Sequence, residues 1–291
     1  MHLHSTHSDG MLTPAALVRL AAEKGLGALT LTDHDVASGY EEAEKYAREY
    51  GLETMRGVEF CSVDKNGICS HILAYDFDAE NPDYKKFLKG HCDRRNQHTR
   101  AFFEYAKKAG KIKGITWDEV LELNKGARWF SNNQIFRAME LKGIITREEY
   151  FPWYEENFGS KAELNKKLSL RFPEPEETIS VISSAGGVSV YAHPSITGPE
   201  ENRLSYVKTL IEMGVRGVEA NHPLVPFEDS VILRKTAEEN NLYVTGGTDH
   251  TGIFAGFAGG GYGKPEDNPE PDCYASREEY LAIKNRTNDI Y

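Results

Sequence analysis

The chain has 291 residues, enough for two average domains or for one α/β barrel with a sizeable core. Its 40% hydrophobic and 27% charged residues are typical of a globular protein, and no apolar run approaches the length of a membrane span. A formal charge of −11 argues against an extended phosphate-tracking surface, so we expect neither long nucleic acid nor a membrane as a partner. A small anionic substrate remains compatible with this charge if metal cations are bound.

Strand and helix signals alternate in the first 77 residues. Thr13 followed by Pro14 is a favourable helix start, and Gly25 ends the helical periodicity. After a short extended N-terminal segment, the predicted elements are a helix over 15–24, a strand over 28–32, a helix over 38–50 and strands near 53–60 and 70–75.

The composition changes between residues 78 and 173, where Lys, Arg, Glu and aromatic residues dominate and little resembles a strand. We interpret this stretch as a mostly α-helical insertion. Helical periodicity is clearest over 83–109, 117–124, 131–142 and 147–158.

Alternation resumes near residue 174. The predicted strands lie at 188–191, 217–220 and 243–246, and the predicted helices at 203–213, 226–240 and 276–285. With the N-terminal segment this makes seven strands, most of them followed by helices, which predicts a parallel, barrel-like sheet of the α/β class. The barrel would comprise residues 1–77 and 174–291, with residues 78–173 as the insertion.

The first ten residues suggest a metal site. His2 and His4 alternate along an extended segment, so both imidazoles project to one side. Asp9 follows in a Ser-Asp-Gly turn that can bring its carboxylate back to the same point. Histidine nitrogen and carboxylate oxygen, without a nearby thiolate, suit zinc, manganese or iron. The alternative is a purification tag, but tags are usually uninterrupted histidine runs.

Seven of the ten histidines lie at or close to the ends of predicted strands. In a barrel the C-terminal ends of parallel strands converge on one mouth, so residues distant in the chain meet there. Glu59 ends the third predicted strand and joins this set, whereas His71 begins its strand and fits least well. His91 and His98, on a charged helix, are interpreted as surface or packing residues. The strand-end histidines are His2, His4, His34, His71, His193, His222 and His250.

The order and context of these residues resemble those of the PHP (polymerase and histidinol phosphatase) metal-dependent phosphoesterases. The resemblance runs from residue 2 to about residue 252, apart from the insertion, and implies a distorted (β/α)7 barrel. It is greatest to the branch with a helical insertion after the fourth strand, which acts on small phosphorylated or nucleotide substrates. The matching signatures are His2-x-His4-x(4)-Asp9-Gly10, Thr32-Asp33-His34-Asp35, Gly57-Val58-Glu59, His71, Ala192-His193-Pro194 and Gly247-Thr248-Asp249.

The resemblance also implies two or three divalent metal ions (Mn, Zn or Fe), with Glu59 as the bridging carboxylate. The family's last motif is Asp-x-His, whereas His250 directly follows Asp249 and Thr251 stands in the place of the histidine. Either His250 reaches the metal through an altered loop, or this ligand is missing and water, the substrate or His222 fills the gap. The matching ligand positions are His2, His4, Asp9, His34, Glu59, His71, His193 and Asp249.

The reaction implied is hydrolysis of a small phosphate monoester, nucleotide or cyclic phosphodiester by a hydroxide that bridges the metals. His193 and His222 are candidates for the general acid, and fixing its own loop is a rival role for His222. Where the family often has Arg-Pro-His at a helix start, this chain has residues 131–134. Arg128 and Arg137 are candidate substrate-binding residues, with a solvated or packing role as the alternative for each.

Three other functions remain compatible with the sequence. A metal-dependent exonuclease is disfavoured by the acidic charge and by the lack of a basic stripe. A non-catalytic metal-binding regulatory module would fit the altered Asp249-His250 motif. Hydrolysis of C–N bonds, as in amidohydrolases, would use similar metal chemistry.

The cysteines bear on the cellular compartment. Cys61, Cys69, Cys92 and Cys273 show neither a CxxC pair nor zinc-knuckle spacing. They are interpreted as free thiols of a reducing compartment, although a disulfide also fits the sequence. No signal-peptide pattern precedes His2, so we expect a cytoplasmic protein.

Overall fold

The computed structural model of the protein describes residues 1–157, 170–199, 203–251 and 273–286. Its helices are α1 (Pro14–Glu23), α2 (Tyr40–Tyr50), α3 (Pro82–Lys108), α4 (Trp117–Leu123), α5 (Asn132–Leu141), α6 (Tyr150–Asn157), α7 (Pro175–Ser184), α8 (Tyr206–Glu212), α9 (Phe227–Glu239) and α10 (Arg277–Lys284). Its strands are β1 (Ala28–Leu29), β2 (Glu53–Thr54), β3 (Gly57–Val63), β4 (Cys69–Tyr75), β5 (Val188–Tyr191), β6 (Gly217–Asn221) and β7 (Tyr243–Gly246).

The fold is of the mixed α/β class, as predicted. Each helix expected between residues 78 and 173 is present, with described ends that differ from the prediction by at most three residues, while residue 158, the predicted end of the last of them, lies outside the described residues. Local sequence explains several helix starts. Thr13 accepts a hydrogen bond from the Ala16 N–H ahead of α1, and Ser131 caps α5 together with Gln134. Removing such a cap costs about 1 kcal/mol.

Five strands form one sheet in the order β3-β4-β5-β6-β7, and β1 pairs with β2 in parallel. The strands β5, β6 and β7 are parallel to one another, as expected. The expectation of an all-parallel sheet was wrong at β4, which runs antiparallel to both β3 and β5. The reason is the short link after β3, where the Asp64 N–H donates to Ile68 O and reverses the chain. A parallel neighbour would need a long crossover.

The direction of β4 resolves the position of His71. A strand that runs antiparallel to both of its neighbours begins at the edge of the sheet where those neighbours end. His71 lies opposite Cys61 in the β3–β4 register, and the Ala192 N–H that follows β5 donates to His71 O. A histidine at the start of β4 is therefore at the same edge as the residues that follow β5.

Two backbone contacts continue the strand pairing beyond the named strands. Leu3 forms a parallel bridge with His250, and Leu3 O accepts a hydrogen bond from the Thr32 N–H at 2.8 Å. His34, after β1, forms a parallel bridge with Glu59 on β3, in the same register as the pairing of β1 with β2. The N-terminal segment thus lies between the chain after β7 and the chain after β1.

Buried apolar side chains form separate clusters beside the sheet and among helices α3 to α6. One cluster lies between the sheet and the helices α7 to α9, and it includes Val58, Ile72, Ile182, Leu210 and Val218. Helices α3 to α6 bury another set, which includes Phe103, Trp117, Ile135, Phe136 and Trp153. Within the described ranges, no helix is long and apolar enough to cross a bilayer.

Candidate metal centre

Glu59 on β3 is a buried carboxylate, 1% exposed, that faces five imidazoles. Its Oε2 lies 3.2 Å from a ring nitrogen of each of His2, His4 and His34. Its Oε1 lies 2.8 Å from His71 Nδ1 and 3.1 Å from His193 Nε2. Both oxygens of one carboxylate thus face nitrogen ligands, which is what a carboxylate bridging two cations requires.

Two further carboxylates flank these imidazoles. Asp249 Oδ1 lies 2.9 Å from His4 Nε2 and 3.5 Å from His2 Nε2. Asp9 approaches His4 Nδ1 at 3.7 Å and His34 Nε2 at 3.8 Å. Four groups of candidate ligands, each with its ligand atoms within 4.8 Å of one another, occur among the described residues, and three of them contain these imidazoles and carboxylates: His2, His4, Glu59 and Asp249; His4, Asp9 and His34; Glu59, His71 and His193.

The donor set fits divalent metal ions on two grounds. The 3.2 Å separations of Glu59 Oε2 from ring nitrogens of His2, His4 and His34 resemble the edge of about 3.4 Å expected for a tetrahedral ion with bonds of about 2.1 Å. Several of these atoms are also buried without a hydrogen-bond partner among the described residues. Those that face the Glu59 carboxylate or belong to it are His2 Nε2, His4 Nε2 and Glu59 Oε2. Unpaired buried polar atoms are costly, and coordination to a cation would satisfy them.

The electrostatic field of the site favours positive charge. Burial by itself lowers the pKa of His2, but Glu219, Glu59 and Asp249 outweigh burial and raise that pKa to about 10. Burial raises the pKa of the Asp249 carboxyl, yet His2 and neighbouring histidines hold it well below its usual value. The carboxylates therefore remain ionised at neutral pH, and cations at this place would balance their charge.

Glu219 on β6 is a buried carboxylate, 0% exposed, that no motif marks in the sequence. Its oxygens lie 3.1 and 3.2 Å from His2 Nδ1, and its Oε2 accepts the His193 N–H at 3.0 Å. By accepting the Nδ1 proton it selects the tautomer that leaves His2 Nε2 facing Glu59. The available signal was a charged residue in the middle of a short, buried, parallel strand.

We expect Glu219→Gln to weaken Mn²⁺ affinity by about 10- to 100-fold, because an amide holds the His2 ring less firmly in its tautomer. Competition with a fluorescent chelator measures the dissociation constant. Glu212→Gln, on the exposed end of α8, is the matched control and should bind as the wild type does. Equal affinity in both variants would show that Glu219 does not orient the ligand.

The structure places His222 behind Asp249. His222 Nδ1 accepts the Leu224 N–H at 3.1 Å, so the proton of the neutral ring is on Nε2. That Nε2 lies 3.7 Å from Asp249 Oδ2. The hydrogen bond from Leu224 ties the His222 ring to its own loop, beside the Asp249 carboxylate.

His250 is outside the four groups of candidate ligands formed by the described residues. Its backbone explains this position. Bridge partners share one side of a sheet, so the His250 side chain is on the side of Leu3. Leu3 alternates with His2 and His4, and it packs beside the apolar cluster that contains Leu17 on α1. His250 is therefore on the face opposite to the imidazoles of His2 and His4.

Residues of α3 and of the segment before α5 cover one side of the site. The Trp129 ring stacks on His34 with centroids 4.8 Å apart, and its Nε1–H donates to Asp35 Oδ2. His91, expected as a surface or packing residue, is buried, with Nδ1 3.3 Å from Asp35 Oδ1. Asn133, at the start of α5, donates from Nδ2 to Asp9 Oδ2 at 3.0 Å.

The two arginines selected from the sequence differ in environment. The Arg128 side chain is exposed, while its backbone N–H donates to His7 O. Arg137 on α5 is half-buried, and burial lowers its pKa. Arg95, which no motif marks, lies on α3 with its guanidinium carbon 5.2 Å from the centre of the Trp129 ring.

Comparisons with known proteins point to one family. Residues 1–126 match the family model of the PHP domain. The 3',5'-nucleoside bisphosphate phosphatase of Chromobacterium violaceum is 28% identical over 288 residues, which are 94% of this chain and 93% of that protein. A 5'-3' exoribonuclease of Haemophilus influenzae is 30% identical over 200 residues, 67% of this chain and 68% of that protein. The solved structure of a candidate metal-dependent phosphoesterase from Bifidobacterium adolescentis aligns with a TM-score of 0.81 and 27% identity, over 98% of this chain and 94% of that one.

Proposed function

The chain belongs to the PHP-domain family, and from this membership we propose that it is a metal-dependent phosphoesterase acting on small phosphate esters. One observation carries the proposal: the buried Glu59 carboxylate faces five imidazoles, with Asp9 and Asp249 beside them. The similarity of nearly the whole chain to a nucleoside bisphosphate phosphatase supports a phosphorylated substrate of nucleotide size.

The proposed ligands divide into groups that share Glu59 or His4. One ion would be held by His2, His4, Glu59 and Asp249, a second by Glu59, His71 and His193, and a third beside His4, Asp9 and His34. Divalent cations at such positions stabilise charge on a phosphoryl oxygen and lower the pKa of bound water. The N- and O-donor set supports Mn, Zn or Fe.

The remaining roles follow from contacts. His193 directs Nε2 to Glu59, which supports a ligand role for it, and His222 keeps Asp249 in place. Asn133 holds Asp9 from the start of α5, and Trp129 covers the His34 ring. These contacts would restrict substrate approach to the side that the α3–α6 helices leave open.

We also propose the finer architecture expected from the sequence. The contacts of Leu3 with His250 and Thr32, and of His34 with Glu59, support a sheet that closes into a distorted seven-stranded barrel. Residues 1–77 and 174–291 would form this barrel, and residues 78–173 a helical cap with its own apolar cluster. The four free thiols support a reducing compartment such as the cytoplasm.

Metal analysis coupled to phosphate-release assays tests the function. Sugar phosphates, nucleoside bisphosphates and cyclic phosphodiesters form the substrate panel. We expect bound divalent metal and phosphate release from at least one of these classes. A protein that retains no metal and releases no phosphate from any of them would contradict the proposal.

His34→Ala and Asp9→Ala should each lose metal and activity while the fold is largely retained, because the ligands are polar side chains outside the apolar clusters. Metal content, phosphate release and circular dichroism measure the three properties. His98→Ala on α3 is the matched control, since His98 is outside the ligand groups. Full activity in both ligand variants would show that the centre is misassigned.

Exoribonuclease activity is the second candidate, favoured by the similarity to the Haemophilus influenzae enzyme over two thirds of the chain. The charge of −11 counts against tight binding of long nucleic acid. Progressive shortening of 3'-labelled single-stranded oligoribonucleotides, faster than phosphate release from small esters, would favour this candidate.

A further inference from the structure

A pair of thiols lies beside the proposed metal centre and has no part in it. Cys61 Sγ on β3 and Cys69 Sγ on β4 are 3.6 Å apart. Cys61 lies directly opposite His71 in the β3–β4 register. One ligand atom from each of the three residues lies within 4.8 Å of the others. Seven residues lie between the two cysteines in the chain, which is not a recognised zinc-motif spacing.

Strand alternation explains why these groups meet. Glu59 and Cys61 are two residues apart on β3, and Cys69 and His71 are two residues apart on β4, so each pair shares one face. Opposite residues of an antiparallel pair are on the same side, so all four side chains share a face of the hairpin. Cys69 is exposed and Cys61 is half-buried, so the thiols are reached from solvent.

The separation of the sulfur atoms fits coordination better than a disulfide. A disulfide bond measures about 2.05 Å, well below the observed separation. Two sulfur ligands of a tetrahedral zinc ion, with Zn–S bonds of about 2.3 Å, are about 3.8 Å apart. The thiols therefore already have nearly the spacing that a shared metal ion requires.

We propose that Cys61 and Cys69, together with the His71 ring that they share with the centre around Glu59, form a further site for one thiophilic divalent cation such as Zn²⁺ or Cd²⁺, with its fourth position open to solvent. A donor set with two sulfur atoms selects softer ions than the imidazole and carboxylate groups around Glu59 do. Each thiol, and the His71 ring nitrogen where it carries a proton, releases that proton to solvent as its bond to the metal forms, and no oxidant or reductant takes part.

The site adjoins the proposed catalytic centre through His71. His71 Nδ1 is 2.8 Å from Glu59 Oε1, so the same ring belongs to both groups. Only this connection rests on the proposed function. Binding of a cation by the thiols is measured without catalysis, so its failure and the failure of the phosphoesterase assignment are distinguishable.

The test uses the full, reduced chain saturated with Mn²⁺ and titrated with Cd²⁺, followed by thiolate-to-cadmium charge-transfer absorbance in the ultraviolet. We expect a band that saturates at one equivalent of Cd²⁺ per chain. Cys61→Ser/Cys69→Ser should abolish the band, and each single variant should retain about half its intensity. Cys92→Ser, which changes a thiol near Arg128 O, is the matched control and should keep the full band.

Circular dichroism checks that each variant is folded, and the two single variants provide a test if the double variant is not. Absence of the band in reduced wild-type protein would overturn the proposal, as would an unchanged band in folded Cys61→Ser/Cys69→Ser. Loss of two titratable thiols in protein purified without reductant, with a peptide linked through Cys61 and Cys69, would also overturn it. The pair would then be a disulfide-forming pair.

Discussion

Glu59→Gln is expected to lower phosphate release on the order of a thousandfold and to remove at least one bound ion per chain. The carboxylate faces nitrogen atoms of His2, His4 and His34 with one oxygen and of His71 and His193 with the other. An amide has no net charge and only one oxygen to offer, so it would not serve two ligand groups. Metal content by mass spectrometry and initial rates of phosphate release give the two readouts.

Glu122→Gln is the matched control for this variant. Glu122 on α4 is exposed and pairs with Lys125, so the substitution should change neither metal content nor rate. A Glu59→Gln protein with the full complement of metal would show that Glu59 does not bridge the ions. Full metal with a greatly reduced rate would instead assign Glu59 a role in the reaction only.

Asp249→Asn and His250→Ala are expected to differ sharply although the residues are adjacent. Asp249→Asn should lower the rate on the order of a hundredfold, because Asp249 Oδ1 lies 2.9 Å from His4 Nε2 within a ligand group. His250→Ala should retain the wild-type metal content, because the bridge with Leu3 directs its side chain to the opposite face. Metal content of both variants, measured after identical dialysis, is the deciding quantity.

The altered motif makes this comparison informative. If His250→Ala loses an ion as Asp249→Asn does, His250 is a ligand and the loop after β7 carries it to the centre. Thermal unfolding of His250→Ala separates a lost ligand from a weakened fold. Retention of metal by both variants would remove this segment from the centre altogether.

Residues that carry motifs were accessible from the sequence because their chemistry is local. The spacing of His2, His4 and Asp9, and the Thr32–Asp35 and Ala192–Pro194 stretches, mark ligand types without any knowledge of their neighbours. Helix positions were equally accessible, since caps and periodicity act within a few residues. These features predicted a histidine–carboxylate centre in a fold of alternating strands and helices.

The contacts that complete the site depend on pairing between distant strands. The direction of β4 decides that His71 faces Glu59 and that the Cys61 and Cys69 thiols meet. The pairing of β5 with β6 helps to place the Glu219 carboxylate next to His2 Nδ1. The bridge of Leu3 with His250 directs the His250 side chain to the face opposite to His2 and His4. The sequence determines which side chains are present and how they are spaced along the chain. Tertiary structure alone decides which of them share a face, because strand direction and register arise from packing between segments far apart in the chain.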